Sequence, residues 1–305
     1  MADPGWLSRR AVLEVLAENG IRPSRAMGQN FVVDQNTVHR VLRLSGVGSG
    51  DQVVEIGAGL GALTFALVAS GARVRAVELD GRLARLLATR AAELGIDPTG
   101  RDRAAHGGGS LEVLEADATT LDFQELLADR GEPLSTRAPR PWKLVGNLPY
   151  SVATSVVLRA LELAPQVSSM LVMLQREAGE RLAAAPGDAA YGAVSVKVAY
   201  FATARQVARV PASVFVPRPK VESVLVRIDR RDEPSVDPRT VDKERLFALV
   251  QAGFAHRRKM LRGSLGGELP PEAFTRAGVD PARRAEELSV LDWGRLAGWQ
   301  TIPEL

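Results

Sequence analysis

The stretch 53-VVEIGAGLG-61 decides the fold of this chain. Its apolar first half predicts a buried strand at 52–56, and its glycines predict a turn that leads into a helix. Gly57 and Gly59 permit backbone torsions that other residues avoid and let a ligand approach the backbone closely. Gly61 lets the following helix pack tightly. Because ligands of open parallel sheets bind beyond the carboxyl ends of the strands, we expect a ligand site at this turn.

Strands and helices alternate on both sides of the turn. Predicted strands lie at 52–56, 73–79, 111–117, 143–147, 170–175, 191–201 and 221–228, and predicted helices at 35–45, 81–95 and 155–163. Such alternation indicates right-handed crossovers and a mostly parallel sheet, so the predicted fold class is α/β.

A charged, proline-containing linker, DRRDEPSVDPRT at 229–240, divides the chain. Beyond it the sequence shows only helical patterns. We therefore expect an α/β domain over residues 1–230 and a small helical domain over residues 241–305. Polar segments rich in glycine or proline at 97–110 and 129–141 indicate surface loops.

The composition is that of an ordinary globular protein, since 46% of the 305 residues are hydrophobic and 25% are charged. The absence of cysteine excludes disulfides, thiolate metal sites and cysteine nucleophiles. No uninterrupted apolar run has the length of a membrane span, and acidic residues interrupt the apolar N-terminal stretch, which argues against a signal peptide. We expect a cytoplasmic protein that binds no metal.

Basic residues are clustered rather than numerous, because the formal net charge is only +3. The segment 205–231 holds seven basic residues and two acidic ones, and the run 256-HRRKMLR-262 holds no acid at all. Clustered positive charge is typical of a surface that contacts a polyanion such as nucleic acid. The charges alone fit a solvated basic face equally well.

Acidic residues end the two strands that follow the glycine turn. Glu78 lies about twenty residues after the turn, where a carboxylate can accept hydrogen bonds from both hydroxyls of a ribose. Asp117 ends the next strand and can accept a bond from an adenine amino group. The spacing G-x-G-x-G disfavours a dinucleotide site, and the two acidic residues at the strand ends favour S-adenosylmethionine, although the glycines alone also fit a structural turn. Glu55, before the turn, either orients the loop through its amides or is a satisfied polar residue.

The fourth predicted strand ends in Asn147-Leu148-Pro149-Tyr150. The exocyclic amine of adenine is a poor nucleophile because its lone pair is delocalised into the ring. Two acceptors on its hydrogens, the Asn147 side-chain oxygen and the Leu148 carbonyl, would favour the tetrahedral geometry needed to attack a methyl sulfonium. Pro149 stiffens the segment, and Tyr150 offers a ring face on which a flipped base can stack. A strand-to-loop turn with a packed tyrosine is the structural alternative.

Two further segments could complete this site. The segment 28-GQNFV-32 precedes the sheet and could fold over a cofactor as a lid, with Asn30 supplying polar contacts. Phe215, in the proline-stiffened stretch 214-VFVPRPKVES-223, could form the second wall of a base pocket opposite Tyr150. It fits a core phenylalanine equally well.

These motifs together resemble the KsgA/RsmA family of small-subunit rRNA adenine dimethyltransferases, from about residue 22 to residue 300. The matching blocks are GQNFVVDQNTV, VVEIGAGLGALT, VELD, EADAT, GNLPY, MLQREAGERL, YGAVSVKVAYF, VFVPRPKVESVLVRI, FAHRRKMLRGSLG and GVDPARRAEELSVLDW. The resemblance implies a Rossmann-like, S-adenosylmethionine-dependent methyltransferase domain and a small C-terminal helical domain. It also implies methylation of two adjacent adenosines in a small-subunit (16S) rRNA hairpin loop, with the immature small ribosomal subunit as partner.

The resemblance further implies roles for individual residues. Together with Gly59, donor-binding roles fall on Gln29, Asn30, Val32, Gly57, Glu78, Asp117 and Asn147. Roles at the base fall on Asn147, Leu148, Tyr150 and Phe215, and RNA contacts on Arg257, Arg258, Lys259 and Arg262. We expect the chain to act as a monomer.

Three other functions stay open at this point. An Erm-type methyltransferase of large-subunit (23S) rRNA has the same fold and chemistry, but proteins of that type resemble an isoleucine-containing version of the tetrapeptide where this chain has Leu148. A non-catalytic ribosome assembly factor of the same fold is disfavoured by the intact Asn147, Tyr150, Gly57 and Glu78. A nicotinamide-dependent oxidoreductase is disfavoured by the glycine spacing.

Overall fold

The computed structural model describes residues 5–24, 28–100, 109–128 and 141–300. Most of the two predicted surface loops lies outside these ranges. Contacts between residues divide the chain into two compact units. Unit 1 consists of Met1–Gly179 and Gln206–Ile228, and unit 2 of Glu180–Arg205 and Asp229–Leu305.

The described residues form helices and strands that alternate through most of unit 1. The helices are α1 Arg9–Glu18, α2 Gln35–Ser45, α3 Ala62–Ala69, α4 Gly81–Glu93, α5 Phe123–Leu127, α6 Ala153–Leu163, α7 Arg176–Ala183, α8 Ala193–Phe201, α9 Lys243–Ala255, α10 Leu261–Ser264, α11 Pro271–Ala277 and α12 Val290–Ala297. The strands are β1 Phe31–Val32, β2 Gln52–Ile56, β3 Arg73–Glu78, β4 Ser110–Glu115, β5 Trp142–Asn147, β6 Val167–Gln175, β7 Ala202–Val210, β8 Phe215–Val216 and β9 Ser223–Arg230.

Seven of the described strands form one sheet in the order β4-β3-β2-β5-β6-β9-β7. The five strands from β4 to β6 run parallel to one another. β2 lies in the middle of these five, with Ile56 opposite Val77 of β3 and Glu55 opposite Val145 of β5. The carboxyl ends of these strands therefore meet at one edge, where the glycine turn begins. The predicted α/β fold with a mostly parallel sheet is confirmed.

Local sequence explains how the helices around the turn begin and end. α2 begins after Asp34, whose carboxylate accepts a hydrogen bond from the Thr37 N–H at 2.8 Å, and it ends at Gly46 in the left-handed region. α3 begins after Gly61, where an added Cβ would lie 2.5 Å from the Phe65 ring of the same helix and 2.6 Å from the Leu87 side chain of α4. The expected role of Gly61 in close helix packing is thereby confirmed.

One predicted strand is wrong. The segment 191–201 forms helix α8 instead, because its apolar residues are buried on several sides and carry no alternation that would separate a strand from a buried helix. Ser195 stabilises the start of this helix, since its hydroxyl accepts from the Gly192 N–H at 3.1 Å and donates to the Arg181 carbonyl at 2.6 Å. The following strand, β7, was not predicted.

Unit 2 has its own hydrophobic core and is larger than the domain expected over residues 241–305. Tyr191 and Tyr200 belong to the same buried cluster as Leu246 and Trp293. The Tyr191 hydroxyl also donates to the Leu288 carbonyl at 2.7 Å. These contacts place Glu180–Arg205 in unit 2, whereas the linker at 229–240 had assigned this segment to the first domain.

Candidate active site

The glycine turn needs glycine for both torsion and space. Gly57 and Gly59 have positive φ angles, +79° and +56°. A Cβ on Gly57 would lie 3.1 Å from the Asn147 carbonyl oxygen, and a Cβ on Gly59 would lie 3.2 Å from the Phe31 ring. The Gly59 N–H donates to Glu78 Oε2 at 2.8 Å, which holds the turn against the end of β3.

A cavity of about 240 Å³, the large cavity, opens at the carboxyl edge of the parallel strands. Seven predicted donor-binding residues line it, namely Gln29, Asn30, Gly57, Gly59, Glu78, Asp117 and Asn147. The eighth, Val32, lines an adjoining cavity of about 50 Å³, the small cavity. Five described residues line both cavities, namely Asn30, Phe31, Gly57, Gly59 and Asn147.

Glu78 is a structural acceptor as well as a cavity residue. It is only 7% exposed, and its Oε1 accepts from the Asp80 N–H at 3.0 Å while its Oε2 accepts from Gly59. Burial raises the pKa of Glu78, and the backbone N–H groups of Asp80 and Gly59 oppose that rise. Each carboxylate oxygen has a second lone pair, so the group can still accept bonds from a ligand.

Asp117 lies two residues beyond the end of β4 and faces the same cavity. Its Oδ1 accepts from the backbone N–H and the hydroxyl of Thr119, at 2.8 and 2.7 Å. These hydrogen bonds lower the pKa of Asp117, so the carboxylate is ionised at neutral pH. It can accept a hydrogen bond from an amino group of a ligand.

Gln29 connects the segment 28–32 to the edge of the sheet through Asp80, a residue that the sequence reasoning missed. Gln29 Nε2 donates to Asp80 Oδ2 at 3.3 Å. Asp80 also accepts from Arg82, and this pairing holds the pKa of Asp80 at about 2. The signal available in the sequence was the position of Asp80 before α4, where a carboxylate caps the helix.

Asn147 ends β5 and connects this strand to the segment 28–32. Its Nδ2 donates to the Asn30 carbonyl at 2.8 Å, and its Oδ1 accepts no hydrogen bond from any described residue. The Leu148 side chain is buried, and its N–H donates to the Met173 carbonyl at 2.9 Å. Leu148 as a whole is 1% exposed and lines neither cavity, so its predicted carbonyl role stays a prediction.

A hydrogen bond of its hydroxyl group holds the Tyr150 side chain in place. The hydroxyl lies 2.6 Å from Ser223 Oγ, in β9, and the side chain is partly buried. Burial raises the pKa of Tyr150, with the Ser223 hydrogen bond acting in the opposite direction. Around it, Pro149, Ser151 and Val152 line the large cavity, and none of these had been predicted as a site residue.

Phe215 does not form a wall of either cavity in this structure. It has no exposed surface and belongs to the hydrophobic core of unit 1. The reason is a pairing between distant segments, because β8 runs antiparallel to β1 with Phe215 opposite Val32. The core alternative left open for Phe215 therefore describes this conformation, and its expected position opposite Tyr150 is corrected.

The basic residues of the run 256–262 in unit 2 are of two kinds, one bonded to neighbouring residues and the others exposed. Arg257 forms an ion pair with Glu286 at 2.5 Å and donates to the Ala189 carbonyl at 2.7 Å. Arg258, Lys259 and Arg262 are exposed and make no ion pair with any described residue. These three side chains are the ones free to contact a polyanion.

Within the described ranges, no group of three histidine or acidic side chains comes together in a way that could hold a metal ion. None of the described helices combines the length and the apolar character needed to cross a bilayer.

Comparison with known proteins gives consistent matches over nearly the whole chain. A family model described as ribosomal RNA adenine dimethylase matches residues 22–301. The chain is 41% identical to Ribosomal RNA small subunit methyltransferase A of Cutibacterium acnes over 97% of this chain and 95% of that protein. It is 43% identical to the protein of the same name from Thermobifida fusca, over 97% and 96%.

Solved structures match the fold. A dimethyladenosine transferase from Plasmodium falciparum has a TM-score of 0.67 at 21% identity, covering 87% of this chain and 95% of that chain. The 23S rRNA methyltransferase ErmE has a TM-score of 0.63 at 25% identity, covering 87% and 97%. With a family model over residues 22–301 and relatives above 40% identity, the chain belongs to the ribosomal RNA adenine dimethylase family.

Proposed function

We propose that this chain transfers methyl groups from S-adenosylmethionine to the N6 amines of two adjacent adenosines in a small-subunit rRNA hairpin loop. The observation that carries the proposal is the position of Asn147. This residue ends β5, lines both cavities and uses its Nδ2 on Asn30, so its Oδ1 is left as an acceptor. The names of the relatives from Cutibacterium acnes and Thermobifida fusca support the same substrate.

The large cavity suits the adenosine portion of the methyl donor. Glu78 is placed to accept hydrogen bonds from the ribose hydroxyls through the lone pairs that its backbone contacts leave unused. Asp117, ionised at neutral pH, is placed to accept from the adenine amino group. The positive φ of Gly57 and Gly59 lets the backbone approach the donor without a Cβ in between.

The transfer itself needs positioning more than acid or base strength. The adenine N6 lone pair forms a bond to the methyl carbon while the carbon–sulfur bond breaks and sulfur keeps its electron pair. The methylated nitrogen then loses a proton to water. Asn147 Oδ1 and the Leu148 carbonyl accept the two N6 hydrogens and orient the lone pair, and such preorganised acceptors supply most of the rate. The Tyr150 ring stacks against the flipped base.

We further propose that the immature small ribosomal subunit is the partner, that the chain acts on it as a cytoplasmic monomer, and that unit 2 contacts the RNA. The exposed Arg258, Lys259 and Arg262 support an RNA contact, because they have no ion-pair partner among the described residues. Arg257 supports the run structurally by its bonds to Glu286 and Ala189.

The test is a methyl-transfer assay with the purified chain, tritiated S-adenosylmethionine and ribosomal subunits from cells that lack this modification. We expect label in dimethyladenosine of the small-subunit rRNA and none in the large subunit. Label in large-subunit rRNA would assign the Erm-type activity. Tight binding to small subunits without any label would assign a non-catalytic assembly role.

A further inference from the structure

Four arginines on the surface of unit 1 have no part in the proposed mechanism. We call Arg9 of α1, Arg40 and Arg43 of α2 and Arg209 of β7 the arginine patch. All four are exposed, and none makes an ion pair with a described residue. Arg209 belongs to the basic segment 205–231, to which the proposed function gives no role.

α2 and β7 bring three of these arginines together. Arg40 Nη1 donates to the Arg209 carbonyl at 3.3 Å, so the outer surface of α2 lies against the end of β7. Arg43 follows Arg40 by three residues, which puts both side chains on the same face of the helix. The three arginines are therefore neighbours on one surface.

α1 adds the fourth arginine a few residues further along the chain from β7. Arg9 Nη2 donates to the Ser213 carbonyl at 2.5 Å and to the Phe215 carbonyl at 3.2 Å. A guanidinium group has five N–H donors, so these bonds leave Arg9 and Arg40 with donors for a further partner. Backbone carbonyls carry no net charge, and the positive charges of the patch are therefore not compensated by them.

The elements that form the patch supply no free carboxylate beside it. The sequences of α2 and of the chain from β7 to β8 contain no aspartate or glutamate. On α1, Glu14 is paired with Arg10 at 2.6 Å, and Glu18 is the last residue, at the end opposite the patch. Asp34 caps α2 by accepting from the Thr37 N–H and hydroxyl.

Stability alone does not explain Arg43 or Arg209. Their side chains make no hydrogen bond with a described residue. A cation in the last turn of α2 would favour the helix dipole, but Arg227 already donates to the Leu44 and Ser45 carbonyls there, at 3.1 and 3.0 Å. Like charges three residues apart on a helix are slightly destabilising. A patch of this kind is therefore better explained by a partner than by the fold.

The patch lies on the outside of the wall that bounds the small cavity. Thr37, Val38 and Val41 of α2 line that cavity, whereas Arg40 and Arg43 of the same helix are exposed. A polyanion on the patch therefore contacts the protein outside both cavities. The patch is suited to hold a nucleic acid backbone rather than a base.

We propose that the arginine patch is a second RNA-binding surface, which binds phosphates of the substrate RNA away from the methylated adenosines. Guanidinium groups match phosphate in bidentate geometry, and a cluster of them without acids is complementary to a polyanion. Phosphate contacts fix the position of an RNA and carry little sequence information. The proposal rests on the proposed function, because that function makes RNA the substrate.

The experiment measures how salt weakens the binding of a fluorescent RNA duplex of mixed sequence that lacks the target hairpin. Each phosphate contact contributes about 0.9 to the slope of log affinity against log salt. The double variant Arg43→Ala/Arg209→Ala should therefore lower the slope by about 1.8. Between about 50 and 200 mM salt, the wild-type chain should lose about tenfold more affinity than this variant.

The matched control is the double variant Arg85→Ala/Arg239→Ala. It lowers the net charge by the same two units, but its exposed arginines are already paired with Glu115 and Asp237. Its slope should stay near that of the wild type. Equal slopes in the two double variants overturn the proposal, because the effect is then one of net charge.

A measurement on the wild-type chain keeps the proposal testable if the variant does not fold. Phenylglyoxal modifies accessible arginines, and mass spectrometry locates the modified residues. Bound duplex should protect Arg43 and Arg209 and leave Arg239 as reactive as before. Equal modification of Arg43 and Arg209 with and without the duplex overturns the proposal.

Methyl transfer to small subunits distinguishes this proposal from the proposed function. In Arg43→Ala/Arg209→Ala, the subunit concentration for half-maximal turnover should rise by a larger factor than maximal turnover falls, and the affinity for S-adenosylhomocysteine should stay the same. If affinity falls for small subunits but not for the duplex, the patch binds a ribosomal protein and the RNA assignment is wrong. If the wild-type chain labels no rRNA, the proposed function fails, whereas the duplex titration still decides the role of the patch.

Discussion

The two halves of the proposed active site present their functional groups differently. In the donor half, Glu78 and Asp117 face the large cavity and are fixed by backbone N–H groups. In the proposed acceptor half, the Leu148 side chain is buried, and the Tyr150 hydroxyl is bonded to Ser223.

This difference shows which structural elements position the functional groups of each half. The donor half is assembled by the parallel strands themselves, because their carboxyl ends bring the turn and both carboxylates to one edge. In the proposed acceptor half, the adenine amine would meet one carboxamide oxygen, that of Asn147, one backbone carbonyl and one aromatic ring. Substitutions in the two halves should therefore separate donor affinity from turnover.

The largest effect is expected at Asn147, which belongs to both halves. Asn147→Ala removes one of two acceptors on the amine, so turnover should fall by about 10² to 10³-fold. The affinity for S-adenosylhomocysteine should fall only a few-fold, about the value of the lost bond to Asn30. Turnover with tritiated donor and calorimetric affinity measure the two changes.

Asn36→Ala is the matched control, because Asn36 is an exposed asparagine on α2. The Asn36→Ala variant should leave turnover and the affinity for S-adenosylhomocysteine unchanged. Turnover of Asn147→Ala within a few-fold of wild type would remove this residue from the chemistry and leave it as a tether for the segment 28–32.

The next effect belongs to the donor half alone. Glu78→Ala leaves the Gly59 and Asp80 N–H groups without their acceptor and removes the proposed ribose contact. The affinity for S-adenosylhomocysteine should fall by about 100-fold, as expected for two or three lost hydrogen bonds to a charged group. Calorimetry gives the affinity directly.

The control for Glu78 is Glu115→Ala, because this carboxylate is 60% exposed and lies 3.9 Å from Arg85. Such surface ion pairs contribute little to stability, so the affinity of the Glu115→Ala variant for S-adenosylhomocysteine should stay near that of the wild type. If both variants weaken binding equally, the loss reflects general negative charge near the cavity, and the comparison between the halves no longer holds.

Much of the fold was predictable because its signals are local. The glycine turn and the apolar strands before and after it lie within residues 52–79, and these strands, β2 and β3, are neighbours in the sheet. Helix α8 was missed because a fully buried helix and a buried strand share the same apolar run. The membership of Glu180–Arg205 in unit 2 depends on Tyr191 and Tyr200 packing against distant helices, which no local pattern records.

The position of Glu78 and Asp117 at the large cavity was predictable for the same reason, since these residues lie at or just after strand ends. The position of Phe215 was not, because it depends on β8 pairing with β1, where Phe215 lies opposite Val32, 183 positions earlier in the chain. The bond between Gln29 and Asp80 is likewise a contact between distant segments. Sequence patterns located the edge of the site, and tertiary pairing decided which side chains face it.

A smaller effect is expected in the basic run of unit 2. Replacing Arg258, Lys259 and Arg262 together with Ala should weaken binding of immature small subunits and lower the slope of log affinity against log salt by about two to three. Filter binding between about 50 and 200 mM salt measures the slope.

Arg257→Ala offers the contrast within the same run. This arginine already pairs with Glu286 and donates to the Ala189 carbonyl. Its replacement should therefore lower the melting temperature of the chain and change the salt slope of subunit binding only slightly. An unchanged slope in the triple variant would make the three exposed residues a solvated face with no part in RNA binding.

The smallest effect separates the ring of Tyr150 from its hydroxyl. Tyr150→Phe removes the 2.6 Å contact with Ser223, worth about 1 kcal/mol, and should lower turnover only a few-fold. Ser223→Ala removes the same contact from the other side and should give a similar loss. Tyr150→Ala also removes the stacking face, worth about 1–3 kcal/mol, so its turnover should be lower again by about tenfold.

The order of turnover among these three variants decides whether the ring or the hydroxyl group of Tyr150 matters for the reaction. If Tyr150→Phe and Tyr150→Ala lose equal activity while Ser223→Ala keeps it, the hydroxyl acts on the base directly and not through Ser223. If all three variants lose the same turnover, the contact with Ser223 serves to hold the loop after β5, and the Tyr150 ring does not stack on the base. Only the graded order, with the ring worth more than the hydroxyl, keeps Tyr150 as a platform for a flipped adenine.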